Sequence, residues 1–155
     1  MEFYVQLFSS QPLDCAEQDF FLRSLSLQLS PDQLRSCKGS LTVDECKRAL
    51  DGMASGKSPG VDGFPAEFYK RFWNILGEDL VGMINYGFSA GRLSATQRSG
   101  VITLLHKKVD CLSMKNWRPI TLLCVDYKIA AKSLANCLLT VLPGVIHANR
   151  TCGVP

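Results

Sequence analysis

Three cations on either side of one predicted turn are the residues of this sequence best suited to binding a charged ligand. Lys107 and Lys108 end one short β-like segment, and Arg118 begins the next. If the two segments pair as an antiparallel hairpin, the three side chains meet at one end of it and could bind a triphosphate. The alternative is that they protect the edge of the hairpin from pairing with another strand. Trp117 favours the ligand-binding interpretation, because an aromatic ring can orient a neighbouring guanidinium.

The turn-rich residues 55–64 contain a Gly-Lys-Ser sequence that invites comparison with a phosphate-binding P-loop. The P-loop requires Gly, four residues and then Gly-Lys-Ser/Thr, between a strand and a helix. Gly52 precedes Gly56 by one residue too few, and Pro59 prevents a helix from starting at once, so this is not a P-loop. Its glycines and Lys57 could still bind a nucleic-acid backbone, and a purely structural turn is the alternative.

The cysteines give no sign of a metal or disulfide framework. There are seven of them, an odd number, no two have the C-x-x-C spacing, and neither histidine lies beside a cysteine pair. We therefore predict free thiols and no metal site.

Capping and turn residues indicate mainly helices in the first two thirds of the chain. Residues 1–41 predict a linker with one or two short helices, broken at Ser30-Pro31. Thr42 predicts the N-cap of a helix in which Glu45 completes a capping box. The apolar face of that helix would contain Cys46, Ala49, Leu50 and Met53.

Two further helices are predicted after the turn-rich residues. Pro65 precedes a helix from Ala66 to about Leu76 that Gly77 should end, and another helix should run from about Glu78 to Ser89. The apolar face of the first of these would contain Phe68, Phe72 and Ile75.

The last third predicts the hairpin and one long helix. Gly100–His106 and Arg118–Cys124 read as short strands joined by a loop over 110–116. The helix should run from Asp126, as N-cap, to about Leu142, with an apolar face of Ala130, Leu134, Leu138 and Val141. The predicted fold class is α+β, mostly helical, with one antiparallel hairpin.

Composition and charge limit the class of function. Apolar residues make up 46% and charged residues 20%, which is typical of a globular protein. No apolar run is long enough for a membrane span and Met1-Glu2-Phe3 does not start a secretory signal, so we expect a soluble intracellular protein, nuclear or cytoplasmic. Residues 98–155 carry eight bases against two acids, whereas the rest of the chain is slightly acidic. This asymmetry favours a polyanionic partner, and a solvated basic face is the alternative.

Together these segments resemble, in order and spacing, the LINE-type (non-LTR) reverse transcriptases. The match covers residues 42–155 and includes Gly-Lys-Ser-Pro-Gly-Val-Asp-Gly-Phe-Pro-Ala-Glu-Phe-Tyr at 56–69, Ile-Thr-Leu-Leu-His-Lys-Lys at 102–108, Asn-Trp-Arg-Pro-Ile-Thr-Leu-Leu at 116–123 and Asp-Tyr-Lys-Ile-Ala-Ala-Lys at 126–132. The resemblance implies two regions: a linker-like segment at 1–41, and at 42–155 the fingers side of a right-hand polymerase, cut before the palm.

The resemblance also implies a role for individual residues. Lys107 or Lys108, together with Arg118, would contact the triphosphate of the incoming deoxynucleotide. Other residues would contact the RNA template, which pairs with a DNA primer strand in such enzymes: Lys57, Ser58, Gly60, Asp62 and Gly63 in the turn-rich loop, and Lys128 and Lys132 in the last helix. The full-length enzyme would use Mg²⁺ ions for two-metal nucleotidyl transfer.

Two features argue against polymerisation by this chain alone. Palm aspartates are expected from an Asp-Asp motif, and no such pair occurs in the sequence. Residues 61, 109, 137 and 150 also depart from the usual pattern, with Val, Val, Cys and Arg where Pro, Gly, Arg and Gln are usual. We expect a reverse transcriptase fragment that is inactive alone. The alternatives are a non-catalytic nucleic-acid-binding protein and a translated remnant without function.

Overall fold

The chain folds into helices and one hairpin, and the computed structural model describes residues 9, 14–23, 29–107 and 110–146. The described elements are, in chain order, α1 (Cys15–Arg23), α2 (Pro31–Ser36), α3 (Val43–Asp51), α4 (Ala66–Ser89), β1 (Gly100–His106), β2 (Trp117–Leu123) and α5 (Val125–Val141). Short 3₁₀ turns lie at Met114–Asn116 and Leu142–Gly144. The predicted α+β class, mostly helical with one antiparallel hairpin, is confirmed.

Reciprocal capping boxes begin α2 and α3. The Thr42 hydroxyl accepts a hydrogen bond from the Glu45 N–H at 3.2 Å, and a Glu45 carboxylate oxygen accepts one from the Thr42 N–H at 2.8 Å. Because the Thr42 N–H and hydroxyl both donate to it, the pKa of Glu45 is lowered. The predicted start of α3 is thus confirmed. Ser30 and Gln33 form the same arrangement at α2, a signal that the sequence contains and the prediction missed.

The hydrophobic core lies among α3, α4 and α5. Leu50, Ile84 and Ile129, one from each helix, are completely buried. Cys46 and Ala49 are also completely buried, which confirms the predicted apolar face of α3 for Cys46, Ala49 and Leu50. Met53, its fourth predicted member, lies beyond the end of α3 and packs partly buried against the core. Burying a side chain of the size of Leu or Ile contributes about 1.5–3 kcal/mol, which makes this three-helix contact the main source of stability.

Helix α4 differs from its prediction in length and in orientation. It runs unbroken through Gly77, where the prediction ended one helix and began another. Gly77 is buried, and its backbone packs against the Trp73 ring. Its buried face contains Tyr69, Trp73, Val81 and Ile84. Of the predicted face, Phe68 is partly buried and packs against the core, whereas the prediction was wrong for Phe72 and Ile75, which are 42% and 74% exposed. Two apolar stripes follow the helical period here, and periodicity alone could not tell which one faces the core.

One polar side chain fixes α4 against the segment before α3. The Asn85 side-chain oxygen accepts a hydrogen bond from the Leu41 N–H at 2.9 Å, and its amide nitrogen donates to the Leu41 carbonyl at 2.8 Å. Leu41 is buried, so this bidentate pair satisfies backbone groups that would otherwise lack partners.

The hairpin consists of two seven-residue strands paired antiparallel over their full length. Gly100 pairs with Leu123 at its base, and His106 pairs with Trp117 near its tip. Both predicted strands are confirmed to within one residue. Several apolar side chains of β1 are exposed, among them Ile102 and Leu105.

Helix α5 has its N-cap two residues earlier than predicted. Its N-cap is Cys124, and Asp126 lies in its first turn with a buried side chain, so the predicted N-cap role of Asp126 was wrong. Of its predicted apolar face, Ala130 and Val141 are buried, whereas Leu134 and Leu138 are 43% and 50% exposed. No helix in the described residues combines the length and the apolar composition needed to cross a membrane.

A pair of substitutions in α4 tests the contact that keeps this helix continuous. A Cβ at Gly77 would lie 2.8 Å from Cε2 of the buried Trp73 ring, whereas a Cβ at Gly82 would meet nothing within 4 Å. We expect Gly77→Ala to lower the free energy of unfolding by about 1–3 kcal/mol through overpacking. Gly82→Ala should raise it by about 0.5–1 kcal/mol through helix propensity. Urea denaturation measures both, and equal stabilisation by the two variants would contradict the Trp73 contact.

Candidate nucleic-acid interface

The tip of the hairpin places two of the three predicted nucleotide-binding cations on one face. Arg118 pairs with Leu105, and the Lys107 N–H donates to the Asn116 carbonyl at 2.7 Å, so the ladder continues past the end of β1. Lys107 lies one residue past the end of β1, and continued alternation of the strands puts it on the same face as Arg118, as a diagonal neighbour about 7–8 Å away. Both side chains are exposed. Lys108, the third predicted cation, lies outside the described residues.

The other face of the tip is aromatic. The rings of Trp117 and His106 are 5.1 Å apart, and the indole N–H of Trp117 donates to the Cys111 carbonyl at 2.9 Å. The expected contact between Trp117 and Arg118 was wrong, because consecutive residues of a strand point to opposite faces. Hydrogen bonds to Asp110 hold the turn, and the Asp110 carbonyl accepts one from the Asn116 side-chain amide at 2.9 Å.

Residues 55–64 form a shaped loop, as predicted, and its glycines explain the shape. Gly56 and Gly63 have φ of +70° and +75°, a backbone conformation that side chains disfavour. The Gly56 N–H donates to the Glu67 carboxylate at 2.5 Å, which fixes the start of the loop to α4 and lowers the pKa of Glu67. Gly63 closes the loop through a 3.2 Å hydrogen bond to the Gly60 carbonyl.

Gly60 lies directly against the backbone where β2 passes into α5. A Cβ at Gly60 would be 2.4 Å from the Cys124 nitrogen, a distance that no side chain can accommodate. The close approach brings the loop next to the first turn of α5. Gly60 therefore has a packing reason to be glycine, and its contact with a template stays a prediction, as do those of Asp62 and Gly63.

Four of the predicted template-binding residues line a single cleft. Lys57 and Ser58 from the loop face Lys128 and Lys132 from α5 across a cavity of about 620 Å³. The Lys132 ammonium donates to the Gly52 carbonyl at 3.2 Å, at the end of α3. The other side chains that line the cleft are apolar or aromatic, and they belong to Met53, Ala54, Ala66, Leu123, Val125, Tyr127, Ala131 and Ala135.

The charge of this cleft has one sign. Its lining includes three lysines and no acid. Cations around an apolar floor suit a ligand that carries both negative charge and flat apolar surface, as a nucleic-acid strand does. Neither part of the chain would form the cleft alone, because the loop and α5 are about seventy residues apart in sequence.

Beneath the loop lies a buried polar cluster that sequence reasoning missed. The side chains of Asp62, Cys124 and Asp126 bring one ligand-type atom each within 4.8 Å of one another. Burial raises the pKa of Asp126; its 2.6 Å hydrogen bond from the Tyr127 N–H opposes this, and the Asp62 carboxylate adds to it. Burial also raises the pKa of Tyr69, which the two carboxylates raise further.

This cluster does not fit the Mg²⁺ pair that nucleotidyl transfer needs. Mg²⁺ prefers open sites in which oxygen ligands share it with several waters. Here one of the three groups is a thiol, and the Asp126 carboxyl is buried, has a raised pKa and already accepts hydrogen bonds from Tyr127 and Gln97. The arrangement is that of a structural polar core.

Comparison with known proteins gives one informative match. No family model matches the chain. The chain is 38% identical over 155 residues to the transposon TX1 uncharacterized 149 kDa protein of Xenopus laevis. The match includes 99% of this chain and 12% of that protein, so the chain spans about an eighth of the length of its relative. The chain is thus related to a transposon-encoded protein over almost its whole length.

Replacing Asp126 tests whether its buried carboxyl costs stability at neutral pH. Its pKa is raised on folding, so the cost is absent below the unfolded value near 3.8, grows as the pH rises from there to the folded pKa, and is constant above it. Asp126→Asn keeps an acceptor for the Tyr127 N–H and removes the charge. We expect its free energy of unfolding to rise, relative to the natural chain, between pH 4 and pH 7. Glu78→Gln, at an exposed acid of α4, is the matched control.

Denaturant titrations at several pH values measure both differences. A flat difference for Asp126→Asn would show that this carboxyl is charged in the folded chain at no cost.

Proposed function

We propose that this chain is the fingers-side part of a LINE-type reverse transcriptase, an RNA-directed DNA polymerase, and that it holds the RNA template and the incoming deoxynucleotide. The similarity to a transposon-encoded protein over nearly the whole chain supports the origin. The ordered motifs at 56–69, 102–108, 116–123 and 126–132 support the enzyme class.

The cleft between the loop and α5 is the observation that carries the proposal. Lys57, Lys128 and Lys132 were assigned to the template from sequence motifs alone, and all three line one cavity. A strand in the cleft would place phosphates beside the lysines and bases against Tyr127 and the apolar floor. Such contacts involve backbone and base faces, so they accept any template sequence.

The cationic face of the hairpin tip is the proposed site for the triphosphate. Lys107 and Arg118 lie diagonally across the ribbon and are both exposed, so they can bind two phosphates of one ligand. The Arg118 guanidinium supplies two parallel donors to one phosphate, and Lys107 adds a mobile point charge.

The chain's own contribution is binding and orientation rather than bond formation. In the enzyme class, a Mg²⁺ pair stabilises the attacking hydroxyl and the leaving pyrophosphate. The carboxylates at Asp62 and Asp126 do not suit that pair, so we assign the metal ligands to other parts of a longer protein. The isolated chain should bind nucleic acid and nucleotide without extending a primer.

Salt dependence of RNA binding tests the cleft. Each phosphate contact on a single strand contributes about 0.7 to the slope of log affinity against log salt. Replacing the three cleft lysines with Gln should therefore reduce the slope by about 2. The matched control replaces three exposed cations that do not line the cleft, Lys38, Arg71 and Arg92.

Fluorescence anisotropy with a short labelled RNA at several salt concentrations gives both slopes. If the control triple lowers the slope as much as the cleft triple does, binding is general electrostatics and the cleft has no special part in it.

Binding of a deoxynucleoside triphosphate tests the hairpin tip. Arg118→Gln should weaken affinity about tenfold or more, because charged hydrogen bonds are lost. Arg118→Lys should give an intermediate affinity, since it keeps the charge and loses the fork. Lys115→Gln removes an exposed cation from the turn before β2 and serves as control. Calorimetric titration measures the affinities, and an equal loss for Arg118→Gln and Lys115→Gln would refute a specific phosphate site.

A further inference from the structure

We propose that Cys37 and Cys137 are a redox-active thiol pair that closes to an intramolecular disulfide and links the end of α2 to α5. The inference concerns neither the cleft nor the hairpin, so it stands independently of the proposed function.

The two cysteines are one hundred residues apart in sequence and adjacent in the fold. The Cys37 thiol lies 3.9 Å from the carbonyl oxygen of Cys137, and the Cys137 thiol lies 3.7 Å from a carboxylate oxygen of Glu45. Cys37 is the C-cap residue of the short helix α2, so it lies at the end of that helix and not within it. A side-chain rotation at either residue changes where its thiol points without moving the helix axes.

The electrostatics of the pair agree with this proximity. Burial raises the pKa of Cys137, and the nearby negative charges of Glu45 and of ionised Cys37 raise it further. Cys137 therefore stays protonated when alone and is a poor first nucleophile.

A small oxidant can reach the pair. Both cysteines are half-buried rather than enclosed. Cys137 lines another cavity, separate from the cleft described above, of about 370 Å³, together with Ser36, the neighbour of Cys37, and with Arg48. Arg48 and Glu45 both line this cavity, so it carries one charge of each sign. By contrast, Cys46 and Cys124 are buried in the core and are shielded from such a reagent.

The reaction proceeds by two thiol–disulfide exchanges. The Cys37 thiolate attacks one sulfur of glutathione disulfide, forms a mixed disulfide and releases one glutathione thiolate. The Cys137 thiolate then attacks the Cys37 sulfur and releases the second glutathione. The two thiol protons pass to the two glutathione thiolates. Two cysteines are oxidised and one glutathione disulfide is reduced to two glutathione thiols.

The test uses the full chain with Cys15, Cys111 and Cys152 replaced by Ser, which limits links between molecules. Four cysteines remain, at 37, 46, 124 and 137. After incubation with glutathione disulfide, peptide mapping should find Cys37 joined to Cys137 as the main product. The unfolding midpoint should rise by on the order of 10 °C and return on reduction, because the link closes a long loop.

Two controls make the outcome specific to the fold. The same oxidation in guanidinium chloride should also give links to Cys46 and Cys124, since the folded geometry no longer selects a pair. Adding Cys137→Ser to the four-cysteine chain should leave Cys37 as a glutathione adduct with no rise in the unfolding midpoint. Circular dichroism confirms that each variant is folded before oxidation.

Three results would overturn the proposal. The first is a folded four-cysteine chain in which Cys37 stops at the glutathione adduct. The second is a main link that involves Cys46 or Cys124. The third is a Cys37–Cys137 link that lowers the unfolding midpoint, which would mean that the fold must distort to form it.

Discussion

The approach of Gly60 to the backbone of Cys124 is the constraint on which the rest of the candidate interface depends. It seats the loop on the junction between β2 and α5, and it puts Asp62 beside Asp126. The cleft exists because that contact holds Lys57 opposite Lys128. A side chain at Gly60 would push the loop away from α5 and separate the lysines. Backbone packing, rather than attraction between charged groups, thus positions three like charges around one cavity, and each of them remains available to a ligand.

The elements that sequence reasoning predicted correctly are those with local signals. For the capping box at Thr42 and the two β-branched segments of the hairpin, the residues that predict the structure all lie within a few positions of one another. The errors at α4 and α5 have a common cause, since each helix carries a second apolar stripe. Ile75 and Leu138 follow a regular helical period yet face solvent, and only the packing of α3, α4 and α5 decides which stripe is buried. The cluster at Asp126 was missed for a related reason: Tyr69, Gln97 and Asp62 each lie far from Asp126 in sequence, and no local pattern connects them to it.

Charge counted along the sequence located only part of the site. The last third carries the excess of bases and contributes Lys128, Lys132 and Arg118. Lys57 belongs to a stretch that is acidic on balance, and the fold moves it into the basic cleft. Its acidic neighbours in sequence, Asp62 and Glu67, do not line the cleft. Segment charge predicts the sign of a partner, whereas the three-dimensional placement of each group decides where that partner binds.

The two strands of the hairpin contact each other far more than they contact any helix. Their hydrogen-bonded ladder joins the helical core at its base, where Gly100 meets Leu123 and β2 passes into Cys124. A small rotation there displaces Lys107 and Arg118 by many times the movement at Cys124, since the seven-residue strands span roughly 20 Å. The packing at the base therefore sets the position of the two cations at the tip, and Gly60 packs directly against that base.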